Sequence, residues 1–340
     1  MTAPDLTSSA RPGSRGTVGL VQGQDAFLLA LGEALQAAHY RHVTVTPATH
    51  ARVLRRAAGT AVASLADVFG WSRPFRETDL PAQIVALMRA AGVLHADGDR
   101  WRSLVRASSV GTTLHFHSAY PTGADNAVFF GPDTYRFVRA LRAEAGTDPV
   151  RRAADIGCGA GTAAIAIALH APGAEVLALD INDDALRMTR INAALAGAAN
   201  VKTLHSDLLT AVDGQFDLIV ANPPYLLDPA RRAYRHGGGA LGAGLSVDIV
   251  QASLARLAPG GRLLLYTGVA IVDGIDLFLA RIAPLLDAAG ACWDYEEIDP
   301  DVFGEQLDDA QYCRVERIAS VWLRACKGHQ GNSEDRPAQR

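Results

Sequence analysis

A doubly wound α/β fold is predicted for the part of this 340-residue chain beyond Arg151, on three observations. Short apolar runs alternate there with helical stretches. A glycine-rich turn, Asp155-Ile156-Gly157-Cys158-Gly159-Ala160-Gly161, stands between the first apolar run and the first helix, and an acidic residue, Asp180, ends the second run. Alternation of this kind buries a parallel sheet between two helical layers and places a ligand beyond the carboxyl ends of the strands.

The elements follow in order. Residues 1 to about 20, rich in Ser, Thr, Gly and Pro, and residues 328–340, polar and aperiodic, read as disordered tails. From Asp25 to about Ala107 the apolar spacing is helical in short pieces: Phe27, Leu28, Leu31 and Leu35, then Val53, Leu54, Leu65, Val68 and Phe69, then Ile84, Leu87, Met88 and Leu94. Short strands around Val93–His95 and Trp101–Val105 flank the turn Asp97-Gly98-Asp99. Helices followed by such a hairpin predict a small, mostly helical, winged-helix-like module over residues 21–110, which either packs on the rest of the chain or recruits its substrate.

Residues 111–327 form the α/β domain, with 111–150 as a linker inside it. The linker holds a strand at Leu114–Tyr120 and a helix at Tyr135–Glu144, opened by Gly131-Pro132-Asp133-Thr134 with Asp133 or Thr134 as its cap. Strands are then expected at Ala153–Ile156, Glu175–Leu179, Val201–His205, Phe216–Ala221, Arg262–Thr267, Ala291–Glu297 and near Val315–Arg324. Helices are expected at Thr162–His170, Asp184–Leu195, Val247–Leu257 and Gly274–Ala289.

Composition narrows the class. A hydrophobic fraction of 49% is enough to bury real cores, and no uninterrupted apolar run is long enough to span a bilayer. The N-terminus lacks the basic-then-apolar layout of a signal peptide, so a folded, soluble, cytoplasmic protein is expected. Cys158, Cys292, Cys313 and Cys326 are scattered without a Cys-x-x-Cys pair, which argues against a disulfide framework or a zinc site. His115 and His117, alternating with Tyr120 onto one strand face, are read as satisfied or exposed side chains and not as metal ligands. A formal net charge of −4 gives no global preference for nucleic acid.

The glycines of the turn at 155–161 let the backbone bend tightly and approach a ligand, while the helix that follows offers unpaired N–H groups. Asp180 can accept from ribose hydroxyls. With these residues the chain resembles the class I S-adenosylmethionine (SAM)-dependent methyltransferases, which implies a Rossmann-like seven-stranded sheet. By that resemblance Asp155, Gly157, Cys158, Gly159 and Gly161 line the methionine part of SAM, Asp180 with Ile181 holds the ribose, Asp207 with Leu208 lies beside the adenine, and Asn222 is a further cofactor contact. A dinucleotide oxidoreductase shares the turn and the acidic residue but is disfavoured by the next motif.

That motif is Asn222-Pro223-Pro224-Tyr225, at the end of the fourth strand. Two prolines hold the backbone extended and remove two donors, leaving a rigid set of acceptors. The Asn222 side-chain oxygen and the Pro223 carbonyl can take both hydrogens of a planar NH₂ group, freeing a lone pair otherwise delocalised into the π-system. Tyr225 can stack on the planar group, so that reaction is mostly positioning and electrostatics.

The motif resembles the signature of methyltransferases acting on exocyclic amines of adenine or guanine and on glutamine amides, most of all the glutamine N5-methyltransferase-like and methyltransferase small domain branch. Gly131–Tyr135 sits where the release-factor enzymes of that branch carry a Pro-Arg-Pro-x-Thr-Glu segment, but it lacks the arginine and ends in tyrosine instead of glutamate, which puts a release-factor substrate in doubt. Phe130, Thr134, Tyr135, Tyr234 and Arg235 are candidate substrate contacts, the last two in the basic, glycine-rich loop Arg231–Gly239. The resulting expectation is an N-methyltransferase using SAM and acting on a protein Gln or Asn or on an RNA base. A small-metabolite N-methyltransferase, and a SAM-binding enzyme or regulator that transfers no methyl, stand as alternatives.

Overall fold

The computed structural model describes residues 21–144, 149–232 and 234–328. The expected disordered tails lie outside the described residues, apart from Gly328. Four helices open the chain, α1 (Gln24–Ala37), α2 (Pro47–Ala57), α3 (Leu65–Phe69) and α4 (Ala82–Ala90), followed by the hairpin β1 (Leu94–Asp97) and β2 (Arg100–Ser103). Thr46 caps α2 by accepting from the Thr49 N–H, with Pro47 at the first helical position where its missing donor costs nothing.

A second hairpin, β3 (Val105–Val110) and β4 (Thr113–Ser118), follows at once. The expected strand Trp101–Val105 is therefore cut at Leu104. Strand β3 escapes the sequence pattern because its buried positions include Arg106 and Ser108, where alternation would place apolar residues. Strand β4 stops at Ser118, so Tyr120 does not share a strand face with His115 and His117. Helix α5 (Pro132–Ala143) begins three residues earlier than the periodicity indicates, with Gly131 as its cap residue.

Beyond α5 come β5 (Arg152–Ile156), α6 (Thr162–His170), β6 (Glu175–Asp180), α7 (Asp183–Ala196), β7 (Val201–His205), β8 (Phe216–Ala221), α8 (Gly244–Arg256), β9 (Leu257–Val272), the short β10 (Ile275–Asp276), α9 (Leu277–Ala288), β11 (Cys292–Asp299) and β12 (Arg317–Cys326). The main path of the sheet runs β11-β12-β9-β8-β5-β6-β7, seven strands as expected, with β10 added at the end of β9. Strands β5 to β9 are parallel to one another, and β12 is antiparallel to both of its neighbours.

Side chains alternate across the sheet with period two. Ala153, Leu218, Val220, Leu264 and Tyr266 pack with α5 and α6 on one face, while Ala154, Ile219, Ala221, Leu263 and Leu265 pack with α8 and α9 on the other. A third core joins α1, α3, α4 and the β3–β4 hairpin to Ala185, Met188 and Ile191 of α7. Asn192 of α7, fully buried, fixes that junction: its side chain accepts from the Phe116 N–H at 2.7 Å and donates to the carbonyls of Phe116 and Ala160 at 2.9 Å each. Every polar atom of the amide is matched, so its burial carries no desolvation deficit.

The chain order reverses at β5, where β6 and β7 lie to one side and β8 and β9 to the other. Ile156 pairs with both Leu179 and Ala221, which brings the carboxyl ends of β5, β6 and β8 level. The crevice at such a switch point is where open α/β sheets take their ligands. Among the described residues no helix is long and apolar enough to cross a membrane.

Candidate active site

The segments leaving the level strand ends wall a single cavity: the turn 155–160 after β5, Asp180–Asn182 after β6, Ser206–Leu208 after β7 and Asn222–Leu226 after β8. Ala127–Phe130, Asp133, Thr134 and Phe137 close it from the linker side, and Tyr234, Arg235, Leu245, Ile249 and Phe303 from the other. All site residues expected from the sequence meet here except two. Gly161 sits behind the wall as the cap of α6, where a Cβ would run into Thr189. Tyr135 points toward the front helices, its hydroxyl accepting from the Thr44 N–H at 2.9 Å.

At the start of α6 the Thr162 and Ala163 N–H groups have no partner among the described residues, as expected of a helix N-terminus, whereas the donors of the glycine-rich turn itself are used within the fold. The N–H groups of Gly157 and Cys158 both bond to the Leu179 carbonyl, that of Gly159 to Asp180 Oδ2, and that of Gly161 to the Cys158 carbonyl. What the glycines provide is shape. Gly157 and Gly159 have φ of 70° and 54°, and a Cβ built at either meets no atom within 4 Å, so both border open cavity.

Asp155 is buried and accepts from the Ala164 N–H in the first turn of α6 at 3.0 Å. Burial pushes its carboxyl up to about 7, with the nearby Asp180 carboxylate adding to the rise. Asp180 is also raised by burial, against the pull of backbone N–H groups, and each of its oxygens takes one of them, from Gly159 and from Asn182. Asp207 is exposed at the cavity edge, and its carboxylate has no partner among the described residues.

The Asn222-Pro223-Pro224-Tyr225 run carries the most informative feature. Among the described residues neither the Asn222 side-chain amide nor the Pro223 carbonyl takes a hydrogen-bond partner, although both residues line the cavity. The Asn222 amide stays accessible at the cavity wall, where it is free to bond a ligand. Tyr225, by contrast, is fixed: its hydroxyl donates to Asp133 Oδ2 at 2.5 Å, its edge meets Phe303, and a Cβ at Gly268 would overlap its ring.

Asp133 is not the helix cap that its position predicts. Its carboxylate also accepts from Tyr266 Oη at 2.9 Å and from Arg136 Nη1 at 3.0 Å, which ties α5 to β9 and to the motif after β8. The capping falls to Thr134, whose hydroxyl reaches back to accept from the Gly131 N–H at 3.4 Å. Phe303, held at φ 55° between β11 and β12, is a further wall residue with no signal in the local sequence.

The basic loop lies against the same rim. Asp228, nearly fully buried, is held near 2 chiefly by its paired hydrogen bonds with Arg232, and Arg235 bonds to Gln306 Oε1 at 2.6 Å. His115 and His117 are buried and bonded through Nε2 to Thr113 and Ser108 hydroxyls, and His117 stacks on Phe130 at 4.6 Å. Among the described residues no group of three or more His, Cys, Asp or Glu side chains is arranged to hold a metal ion.

Comparison with known proteins agrees with this geometry. Residues 134–269 match the family model of the methyltransferase small domain. The release factor glutamine methyltransferase of Deinococcus radiodurans is 39% identical over 167 residues, 46% of this chain and 55% of that protein. The ribosomal protein uL3 glutamine methyltransferase of Xanthomonas campestris is 46% identical over 90 residues, 24% of this chain and 29% of that protein. The tRNA1(Val) (adenine(37)-N6)-methyltransferase of Aeromonas hydrophila is 35% identical over 133 residues, 37% of this chain and 55% of that protein. The chain spans about half, or less, of the length of these curated relatives. The strand order and the level switch-point crevice of the α/β part agree with the similarity of residues 134–269 to the methyltransferase small domain.

Proposed function

We propose that the chain is a SAM-dependent N-methyltransferase that modifies the nitrogen of a planar amide or exocyclic amine, in a protein Gln or Asn or in an RNA base. The observation that carries this reading is the pair of open acceptors, Asn222 and the Pro223 carbonyl, adjacent in sequence at one cavity. Proline supplies no N–H at 223 or 224, so these two positions offer acceptors and no competing backbone donors. A planar NH₂ group has two hydrogens to give, and two fixed acceptors hold it in a single orientation.

The cavity also fits the cofactor. Open space over Gly157 and Gly159, the acidic edge at Asp180 and the unpartnered carboxylate of Asp207 match an adenosine carrying a cationic amino-acid tail. When bound, SAM supplies an electrophilic methyl group on its sulfonium. The residues of this chain then bind, orient and exclude water: Asp180 and Asp207 accept hydroxyl and amine hydrogens, Asn222 and Pro223 fix the nucleophile, and Phe129, Phe130, Phe137 and Phe303 keep the surroundings apolar. None of these roles requires a general base, because the methylated nitrogen is acidic enough to lose its proton to solvent.

The test is mass spectrometry of the purified protein incubated with isotope-labelled SAM and, separately, ribosomal RNA, a cell-protein extract and a small-metabolite extract. Label is expected in one macromolecular pool with Asn222 intact and in none with Asn222→Ala. Binding of SAM with no pool labelled overturns the proposal, and label in the metabolite pool alone moves the acceptor to a small molecule.

A further inference from the structure

We infer that α2 is a docking face for single-stranded RNA, which deepens the N-methyltransferase reading, on which it rests, by choosing RNA as the macromolecule brought to the cavity. Thr49, Arg52, Arg55 and Arg56 line an open surface concavity on this helix. Helical spacing puts residues 49, 52 and 56 on one side and His50, Val53, Leu54 and Ala57 toward the protein, His50 being the fully buried member. The three arginines lie outside the core, α2 contains no acidic residue, and among the described residues none of the three guanidinium groups has a partner.

The charge of the chain is divided unevenly. Residues 21–110 carry ten arginines against seven acidic residues, whereas residues 111–327 carry 18 basic against 26 acidic ones. A net charge of −4 therefore conceals a positive front and a negative body, and a polyanion approaching the molecule is steered to the front.

The buried side of the same helix is connected to the cavity rim. The buried ring of His50 stacks on Tyr120 at 4.0 Å, and two residues on, the Thr122 carbonyl accepts from the Tyr234 hydroxyl at 2.9 Å. Tyr234 lies nearly parallel to Phe129, 8° apart in plane with centroids 6.3 Å apart, and the Arg232 guanidinium sits 5.6 Å from its ring centroid. Phe129, Tyr234 and Arg235 all line the cavity. Unpaired arginines on one helix and oriented aromatic side chains at the cavity are what a single strand needs, since its phosphates require cations and its unstacked bases require π-surfaces. An acidic peptide would use the arginines and leave the aromatic pair without a role.

Fluorescence anisotropy of the full chain with a labelled oligouridylate, in the absence of SAM, tests the inference separately from methyl transfer. Wild-type affinity is expected to fall steeply between about 50 and about 200 mM salt. The triple variant Arg52→Ala, Arg55→Ala, Arg56→Ala should flatten the slope of log K against log salt by about 2, roughly 0.7 for each phosphate that is no longer neutralised, and weaken binding about tenfold or more. The corresponding triple lysine variant should keep the slope, and Arg55→Glu alone should weaken binding, which covers the case in which the alanine variant loses helix content by circular dichroism. Unchanged affinity and slope in a folded alanine triple, or displacement of the RNA by polyglutamate at equal charge, overturns the inference. Because RNA binding is read without the cofactor, failure here leaves the methyltransferase reading standing, and failure of labelling leaves the docking face standing.

Discussion

The Tyr225 hydroxyl donates a 2.5 Å hydrogen bond to Oδ2 of Asp133, and both residues are buried. The last residue of the acceptor motif is thereby anchored to the first turn of α5, 92 residues earlier in the chain. Tyr266 donates to the other oxygen of the same carboxylate, and Arg136 joins it, so one aspartate collects two phenols and a guanidinium. Asp133→Ala leaves two buried hydroxyls without an acceptor and is expected to cost about 1–3 kcal/mol for each group that stays dry. Tyr225→Phe removes a single donor and should cost less. Urea unfolding of both variants checks the order, and equal costs would mean that water replaces the missing carboxylate.

Asn222→Ala deletes one of the two open acceptors without touching a hydrogen bond of the folded chain. Stability should therefore change little, while kcat falls about a hundredfold to a thousandfold, the usual loss when one preorganised polar group beside the reacting atoms is removed. SAM affinity measured by calorimetry should stay within a few-fold of wild type. A large drop in SAM affinity with kcat preserved would place Asn222 on the cofactor and not on the acceptor.

Gly268, inside β9, is directly behind Tyr225, and a side chain there would overlap the Tyr225 ring. Gly268→Ala must displace the ring or the strand, either of which strains the tie to Asp133. Overpacking of this kind costs about 1–3 kcal/mol, and here it should also lower kcat because the acceptor motif shifts with its tyrosine. Thermal melting together with steady-state kinetics tests the coupling, and a variant that is destabilised with unaltered kcat would break it.

The α/β part of the fold is legible in the sequence because its signals are local. Residues 218–221 and 263–266 alternate between the two cores with period two, and the glycine-rich turn has to lie between a strand and a helix whatever the rest of the chain does. Asp133 is not legible, since Gly-Pro-Asp-Thr reads equally well as a helix start, and only the tertiary approach of Tyr225 and Tyr266 turns the carboxylate inward. Strand β3 is hidden for a related reason. Its buried Arg106 and Ser108 are matched by Ser118 O and His117 Nε2 on the paired strand and by Thr44 Oγ1, 64 residues away, polar pairings that the apolar pattern does not reveal. The motif points Gly161 at the cofactor, while in the fold its lack of a side chain serves close packing against Thr189.

Acid should loosen the front of the molecule first. Burial lowers His42, His50 and His115 to about 4 from an ordinary 6.5, and His117 well below that ordinary value, so the folded state keeps them neutral. Between pH 6.5 and about 4 the unfolded chain takes up protons that the folded one refuses, and the stability present above 6.5 is progressively lost as pH falls. Hydrogen exchange over that window is expected to rise in β3 and β4 before it rises in β5 and β8. Simultaneous loss of protection in all four strands would place the acid-sensitive groups elsewhere.

Asp155 acts with the opposite sign. Its folded carboxyl titrates near 7 against an ordinary 3.8, so the folded state holds the proton more tightly and this group's contribution declines as pH rises from about 4 to about 7. Asparagine is close in shape, and its side-chain oxygen can still accept from the Ala164 N–H, so Asp155→Asn removes the titration and keeps the bond that starts α6. The melting temperature of the variant relative to wild type should therefore rise steadily between pH 4 and pH 7 and level off above it. The histidines cancel in this difference because both proteins carry them. A difference that is flat across the window would show that Asp155 is already ionised in the folded chain, its charge balanced by the α6 amides that the carboxylate faces.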